Sequence, residues 1–350
     1  MSKMVITIGD DMRYLSLTAV TLLLVLCSCG LFKGEDKKES IPSFELTERP
    51  HYSNRPITEL YIDSNGANYI GTYEGLVIDP LEGDLFYLDR DITSKSARIR
   101  EVDGVYYARA DDKSLISSTD GKDWTEIVRL GESIYDYVIL KSGRIVIGSY
   151  QGVYYKDPEA TEWTKKEFFF AGNSIANPNR IKHLIESKDG GVFAGTHHGI
   201  YRSLDEGENW ERISGFIPNE LDDVSQFLLK ENGDILAYAT KYAYVSEDNG
   251  ETWFTSTLPS KGVFKAIEDN GIEYILIGGD IWARKTSRDV YVHLEIVDEL
   301  IDKFDITVST INNFYIRGEK LLVYYSSEYP TNVYSGIRVD ESEIWDKLNK

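Results

Sequence analysis

Two stretches of the chain spell the same tight turn: Ser203-Leu204-Asp205-Glu206-Gly207-Glu208-Asn209-Trp210 and Ser246-Glu247-Asp248-Asn249-Gly250-Glu251-Thr252-Trp253. Both read S-x-D-x-G-x-[TN]-W, and each fixed letter has a physical role. Ser and Asp side chains tie down backbone amides, Gly takes the positive φ that other residues resist, and Trp packs its ring between sheets. The strand ahead of the turn keeps a constant distance. Fifteen residues separate Gly195 from Trp210, Gly148 from Trp163, Tyr238 from Trp253, Arg109 from Trp124 and Gly71 from Phe86. A weaker copy runs from Gly278 to His293, and a last one, with an insertion at 328–331, ends near Trp345. A period of roughly 40 residues that preserves this spacing means stacked supersecondary units, each burying its neighbour's apolar face.

The motif resembles the Asp-box, or BNR, repeat of sialidase-like β-propellers. That resemblance implies an all-β ring of four-stranded antiparallel blades. Segments 61–70, 137–148, 183–195 and 226–238 each read as strand, turn, strand. Residues 55–350 shared among seven units leave about 42 apiece, so seven blades are expected, with six or eight as the neighbouring counts. Abundant Tyr (24) and Gly (28) beside only 9 Pro fit short strands joined by tight turns. An open stack would leave two strand edges free to pair with another chain. Residues 44–47 or 51–55, set beside 321–325, are the candidates to close it. In sialidase-like propellers the Asp-box turns lie opposite the catalytic face. The resemblance therefore makes Ser203, Asp205, Gly207 and Trp210, with Ser246, Asp248, Gly250 and Trp253, structural.

At the other end of the chain, residues 15–26 form an apolar run of twelve, which as a helix would rise only about 18 Å. A bilayer core needs about 30 Å, so the run reads as the core of a signal peptide. Asp10 and Asp11 are unusual in a signal start, whereas Met12-Arg13-Tyr14 would open one normally. Leu26-Cys27-Ser28-Cys29 resembles a bacterial lipobox, which implies cleavage before Cys29 and lipid on its sulfur. Residues 1–28 are then the signal peptide, 29–43 a charged tether and 44–350 one propeller domain. The cleaved chain keeps Cys29 as its sole cysteine, without disulfide or thiol nucleophile. Gly30, where enteric bacteria place aspartate for inner-membrane retention, favours the outer membrane, with the domain in the periplasm or at the surface.

Net charge narrows the partners further. With 58 acidic and 38 basic side chains the formal charge is -20, which repels nucleic acid and anionic lipid headgroups. H-E-x-x-H, G-x-S-x-G and Gly-rich phosphate loops are absent. The face opposite the box turns is built from turns between second and third strands and from the approaches to first strands. In the repeat register this places Tyr73, Asp111, Tyr150, His197, His198 and Tyr242 around a channel mouth with Arg55, Arg100, Tyr137, Arg180, Gln226 and Lys265. Aromatic faces and mixed charges suit a sugar or a protein ligand. His197-His198 with His183 lacks the spacing of a zinc site. No metal or cofactor is implied, and the chain is expected to be a monomer. Sialidases carry an Arg-Ile-Pro motif early in the propeller, but here the order is Asn54-Arg55-Pro56-Ile57. A binding or scaffolding module is therefore expected. A BNR-type glycoside hydrolase is the second reading. A third is an assembly factor similar to propellers that help build photosynthetic complexes. Several half-repeats, such as residues 59–79, also resemble those of bacterial sensor ectodomains.

Overall fold

The computed structural model describes residues 20–28, 44–52, 57–72, 75–79, 86–87, 98–167, 180–213, 223–294, 310–318 and 320–326. Their regular structure is entirely β. Six antiparallel sheets of four strands follow one another as simple meanders spanning 57–87, 100–129, 134–167, 181–212, 226–257 and 263–294. We number these blades I to VI. Blade IV illustrates the pattern, running from Ile181–Glu186 through Val192–Thr196 and Gly199–Ser203 to Glu211–Arg212. Its second strand is buried at every position, as is Ile272–Ile277 in blade VI, because neighbouring blades cover both faces.

Blade VII contributes Thr310–Arg317 and Lys320–Ser326, paired antiparallel. The ring closes through it. Ile311 N–H donates to Gly279 O of blade VI at 2.8 Å, and Arg317 Nη1 donates to Ile62 O of blade I at 2.9 Å. The chain is a seven-bladed propeller. An N-terminal two-stranded sheet, Val20–Ser28 paired with Phe44–Tyr52, lies against the outer strand of blade VII. Phe44–Tyr52 covers the first expected closing segment and part of the second. The strand lying next to Lys320–Ser326, however, is Val20–Ser28, which contains most of the apolar run expected as a signal core. A short continuous apolar run satisfies either role, since periodicity does not separate a buried strand from an apolar helix of that length.

Three box turns are formed in the described residues. In blade IV, Ser203 Oγ donates to Asp205 Oδ1 at 2.8 Å and accepts the Gly207 N–H at 2.8 Å. Asp205 accepts the Asn209 N–H at 2.7 Å, and Trp210 Nε1 donates to Gly207 O at 2.8 Å. Blade V repeats this with Ser246, Asp248, Gly250, Thr252 and Trp253. Blade II has a version one residue shorter, in which Ser118 Oγ donates to Asp120 and Trp124 Nε1 to Gly121 O at 3.0 Å. Each Trp lies between blades; Trp253 meets Phe193 of blade IV edge-on at 6.1 Å between centroids. In a meander the first and third turns share one end of the blade. The box turns therefore all sit opposite the turns that carry Tyr150, His197 and Tyr242.

Candidate binding channel

The innermost strand of every blade faces a central cavity of about 930 Å³. A recurring irregularity shapes its wall. In blades I, III, IV, VI and VII the pairing of the first and second strands slips by one residue near the start of the first strand. Just past each slip stand Glu59, Asp136, His183, Lys265 and Asn313, all polar. Such a bulge leaves one residue out of register and re-aims its neighbours.

These residues tie blades together. Lys265 Nζ donates to Glu59 Oε1 at 2.6 Å and to Asn313 Oδ1 at 3.2 Å. Asp136 is fully buried and accepts from Arg98 Nη1 and Arg100 Nη2, each at 3.0 Å, and from the Leu184 N–H at 2.7 Å. One carboxylate thus joins blades II, III and IV. Burial pushes its pKa up, but Arg100 and Arg98 outweigh this and hold it below the usual carboxylate range. At neutral pH it is an acceptor and not a proton donor. His183 Nδ1 lies 3.6 Å from Asp136 Oδ2, yet burial, aided by the two arginines, pushes its pKa down to about 3. The ring is neutral and structural.

Of the expected site residues, the structure brings Arg100, Arg180, Gln226 and Lys265 to the channel wall. The Arg180 guanidinium carbon lies 4.1 Å from the centre of the Tyr135 ring. His197 stands at the rim, its Nδ1 3.3 Å from Asp223, which also pairs with Lys182. His198 is buried, with its N–H on Thr196 Oγ1 at 2.9 Å. Asp111 is committed to its own turn, accepting the N–H groups of Lys113 and Ser114 at 2.6 and 2.7 Å and pairing with Arg129 at 2.8 Å. Tyr150 and the exposed Tyr242 lie on the rim turns and do not line the cavity. Tyr73, Arg55 and Cys29 lie outside the described residues. Among the described residues no three His, Cys, Asp or Glu side chains converge as a metal site.

Tyr137, expected at the mouth, is wholly buried in the sheet, and its hydroxyl shares its one proton between the Arg98 and Tyr107 carbonyls, each at 2.7 Å. The slip between Ile134 and Asp136 is the reason, since it turns Tyr135 toward the channel instead. Sequence reasoning also missed Arg98 and Arg109. Arg109 is buried in the wall and donates to Ile134 O at 2.5 Å and Tyr135 O at 3.3 Å. It stood in the sequence only as a register marker, and no turn or spacing signal distinguishes it.

The sequence matches no protein-family model and no curated protein. Solved structures are similar in three dimensions. The extracellular domain of a putative hybrid two-component system of B. thetaiotaomicron superposes with TM-score 0.62 at 14% identity, over 82% of this chain and 38% of that one. Virginiamycin B lyase from Staphylococcus aureus gives 0.58 at 11%, over 78% and 92%. YCF48 bound to a D1 peptide gives 0.54 at 10%, over 77% and 90%. The likeness is one of fold. This chain spans about two fifths of the length of the extracellular domains it matches.

Proposed function

We propose that this is an Asp-box propeller working outside the cytoplasm as a lipid-anchored binding module, with a glycan or protein ligand seated in the mouth of the channel. The observation that carries this reading is the channel itself. Seven first strands converge on one cavity whose polar wall is held in place by ion pairs between blades. A wall fixed in this way is preorganised, and preorganisation lowers the ordering cost of binding. The sensor-domain likeness supports an extracytoplasmic setting. The lipobox-like segment supports attachment through Cys29 in a mature monomer at the outer membrane, and cleavage there removes Val20–Ser28 from beside Lys320–Ser326 while leaving the seven first strands of the channel intact.

Hydrolysis of the sialidase type would need a Tyr–Glu pair beside the arginines. The hydrogen-bonded pairs Tyr154–Glu132, Tyr238–Glu273 and Tyr291–Glu273 lie off the channel wall, and on the wall, where Tyr61 and Tyr315 stand, Glu59 is engaged by Lys265. We therefore expect no turnover of fluorogenic sialosides or hexosides. Glycan-array screening followed by calorimetry tests binding, and Ser225→Trp, which pushes an indole into the channel, should weaken it strongly with little change in melting temperature. Binding that survives the plug moves the site elsewhere. Turnover that disappears with Arg100→Ala or Arg180→Ala would make the chain a hydrolase.

A further inference from the structure

Blades I to VI each end in an outer strand whose far edge pairs with no further strand among the described residues. Such an edge invites pairing with another chain unless charged side chains or shortness guard it. The outer strand of blade II carries Glu126 and Arg129, and that of blade III carries Lys165, Lys166 and Glu167. Those of blades I and IV are two residues long, and that of blade VI is three. Blade V differs. Its outer strand, Phe254–Thr257, has four residues and no charge.

Beside that strand lies a groove of about 570 Å³, separate from the channel, whose other wall is the third strand and outer turn of blade VI. Phe254, Leu258, Trp282 and Tyr291 belong to the apolar cluster between the two blades and line the groove, with Val290 exposed next to them. Blade VI departs from the box spelling here. Counted from the end of the third strand, Arg284 and Tyr291 stand where blade V has Ser246 and Trp253. The Arg284 guanidinium braces both walls, its Nη1 donating to Ser256 Oγ at 2.5 Å and to Ser287 O at 3.1 Å. Ser287 lines the groove too. It is 2% exposed, and its Oγ has no hydrogen-bond partner among the described residues. A buried hydroxyl left unpaired costs free energy that a group on a ligand would recover.

We propose that the free edge of Phe254–Thr257 and the groove beside it dock an extended, uncharged peptide segment of a partner protein, which adds a fifth strand to blade V. In this mode main-chain hydrogen bonds supply affinity, and a pocket for alternate side chains supplies selectivity. The aromatic surface of Phe254, Trp282 and Tyr291 suits one aromatic or branched side chain of the segment. Both charged residues of the groove are already engaged, Arg288 with Glu247 at 2.7 Å and Asp289 with the Thr286 N–H at 2.8 Å. A charged side chain entering it would therefore be desolvated without a counter-ion, which is why the segment is uncharged. The site lies outside the channel and stands whatever the channel holds.

The test selects phage-displayed random heptapeptides on the full chain, then titrates the best synthetic peptide by calorimetry. It should bind with Kd of about 1 mM or tighter and carry an aromatic or branched residue at its centre. N-methylation at alternate residues should weaken binding about tenfold or more, and at the intervening residues about threefold or less, because successive amides of a strand point to opposite sides. Val290→Arg, at an exposed position, should weaken binding about tenfold or more. Ser287→Ala should also weaken it without lowering the melting temperature, since the variant loses a buried group that had no partner. Ser225→Trp, in the channel, should change nothing. The proposal is overturned if no selected peptide binds up to about 1 mM, or if full affinity survives in both groove variants. A methylation profile without the period of two would also overturn it, and so would loss of binding with Ser225→Trp. A dimer that Val290→Arg dissolves, seen by sedimentation, would give the groove to a second copy of this chain and overturn the peptide reading.

Discussion

Gly207 and Gly250 occupy the same place in two copies of one turn, yet alanine should cost very different amounts at the two positions. Both have left-handed backbones, φ 93° and 86°, so alanine at either pays about 1–2 kcal/mol of backbone strain. Their surroundings differ. A Cβ on Gly207 would meet Val146 methyls at 3.5 Å, an ordinary contact. A Cβ on Gly250 would sit 2.5 Å from Phe193 Cε1 and closer still to Cζ. Phe193 is fully buried and is braced by Trp253, so it has little room to retreat. Overpacking of that kind adds about 1–3 kcal/mol. Gly207→Ala should therefore cost about 1–2 kcal/mol and Gly250→Ala about 2–5 kcal/mol. Urea denaturation of the two variants, with unchanged slope, measures the difference. Phe193→Leu supplies the control: it should cost less in the Gly250→Ala background than in the wild type, so the double variant costs less than the sum of the two single ones. Equal costs for the two glycine variants, or strict additivity with Phe193→Leu, would refute the reasoning.

His183 should make stability depend on pH. Its folded pKa of about 3 lies below the unfolded value of 6.5, so its contribution is complete above 6.5 and is lost as pH falls from there towards 3. Across that window the slope should approach ~1.4 kcal/mol per pH unit, and His183→Leu should flatten it in thermal or urea melts. Glu273 is buried and holds Tyr238 Oη at 2.8 Å, Arg284 Nε at 2.9 Å and the Tyr291 hydroxyl. Glu273→Ala, by stranding Arg284, should cost about 3–5 kcal/mol, while replacing the pair together with Leu and Met should recover much of it. Cys29→Ala should shift the protein from the membrane to the soluble fraction, because stable attachment rests on the acyl chains; unchanged fractionation would exclude the lipid anchor.

Much of the architecture was legible because a repeat shows itself through spacing. The fifteen-residue interval placed six blades, and the letters of two box turns predicted hydrogen bonds that Ser203 and Ser246 make. The blade II box escaped because it is one residue shorter, so Ser118 and Asp120 fall out of the pattern although the bonds are the same. The channel was less legible. A bulge has no sequence signature here, and one slip at Ile134 exchanges Tyr137 for Tyr135 on the wall. Arg100 and Arg180 were found because they precede or open first strands. Arg98 and Arg109 reach the same wall through a left-handed residue and a second strand, which only the assembled ring brings together.

The meander separates two kinds of sequence constraint. Every turn that carries the box spelling lies at one end of the barrel of blades, and the turns bearing Tyr150, His197 and Tyr242 lie at the other. A mutation that re-spells the mouth therefore leaves the clasps that hold the strands untouched. Ligand preference can drift, or be grafted by exchanging rim loops, while the scaffold's melting behaviour stays with Trp210, Trp253 and their glycines.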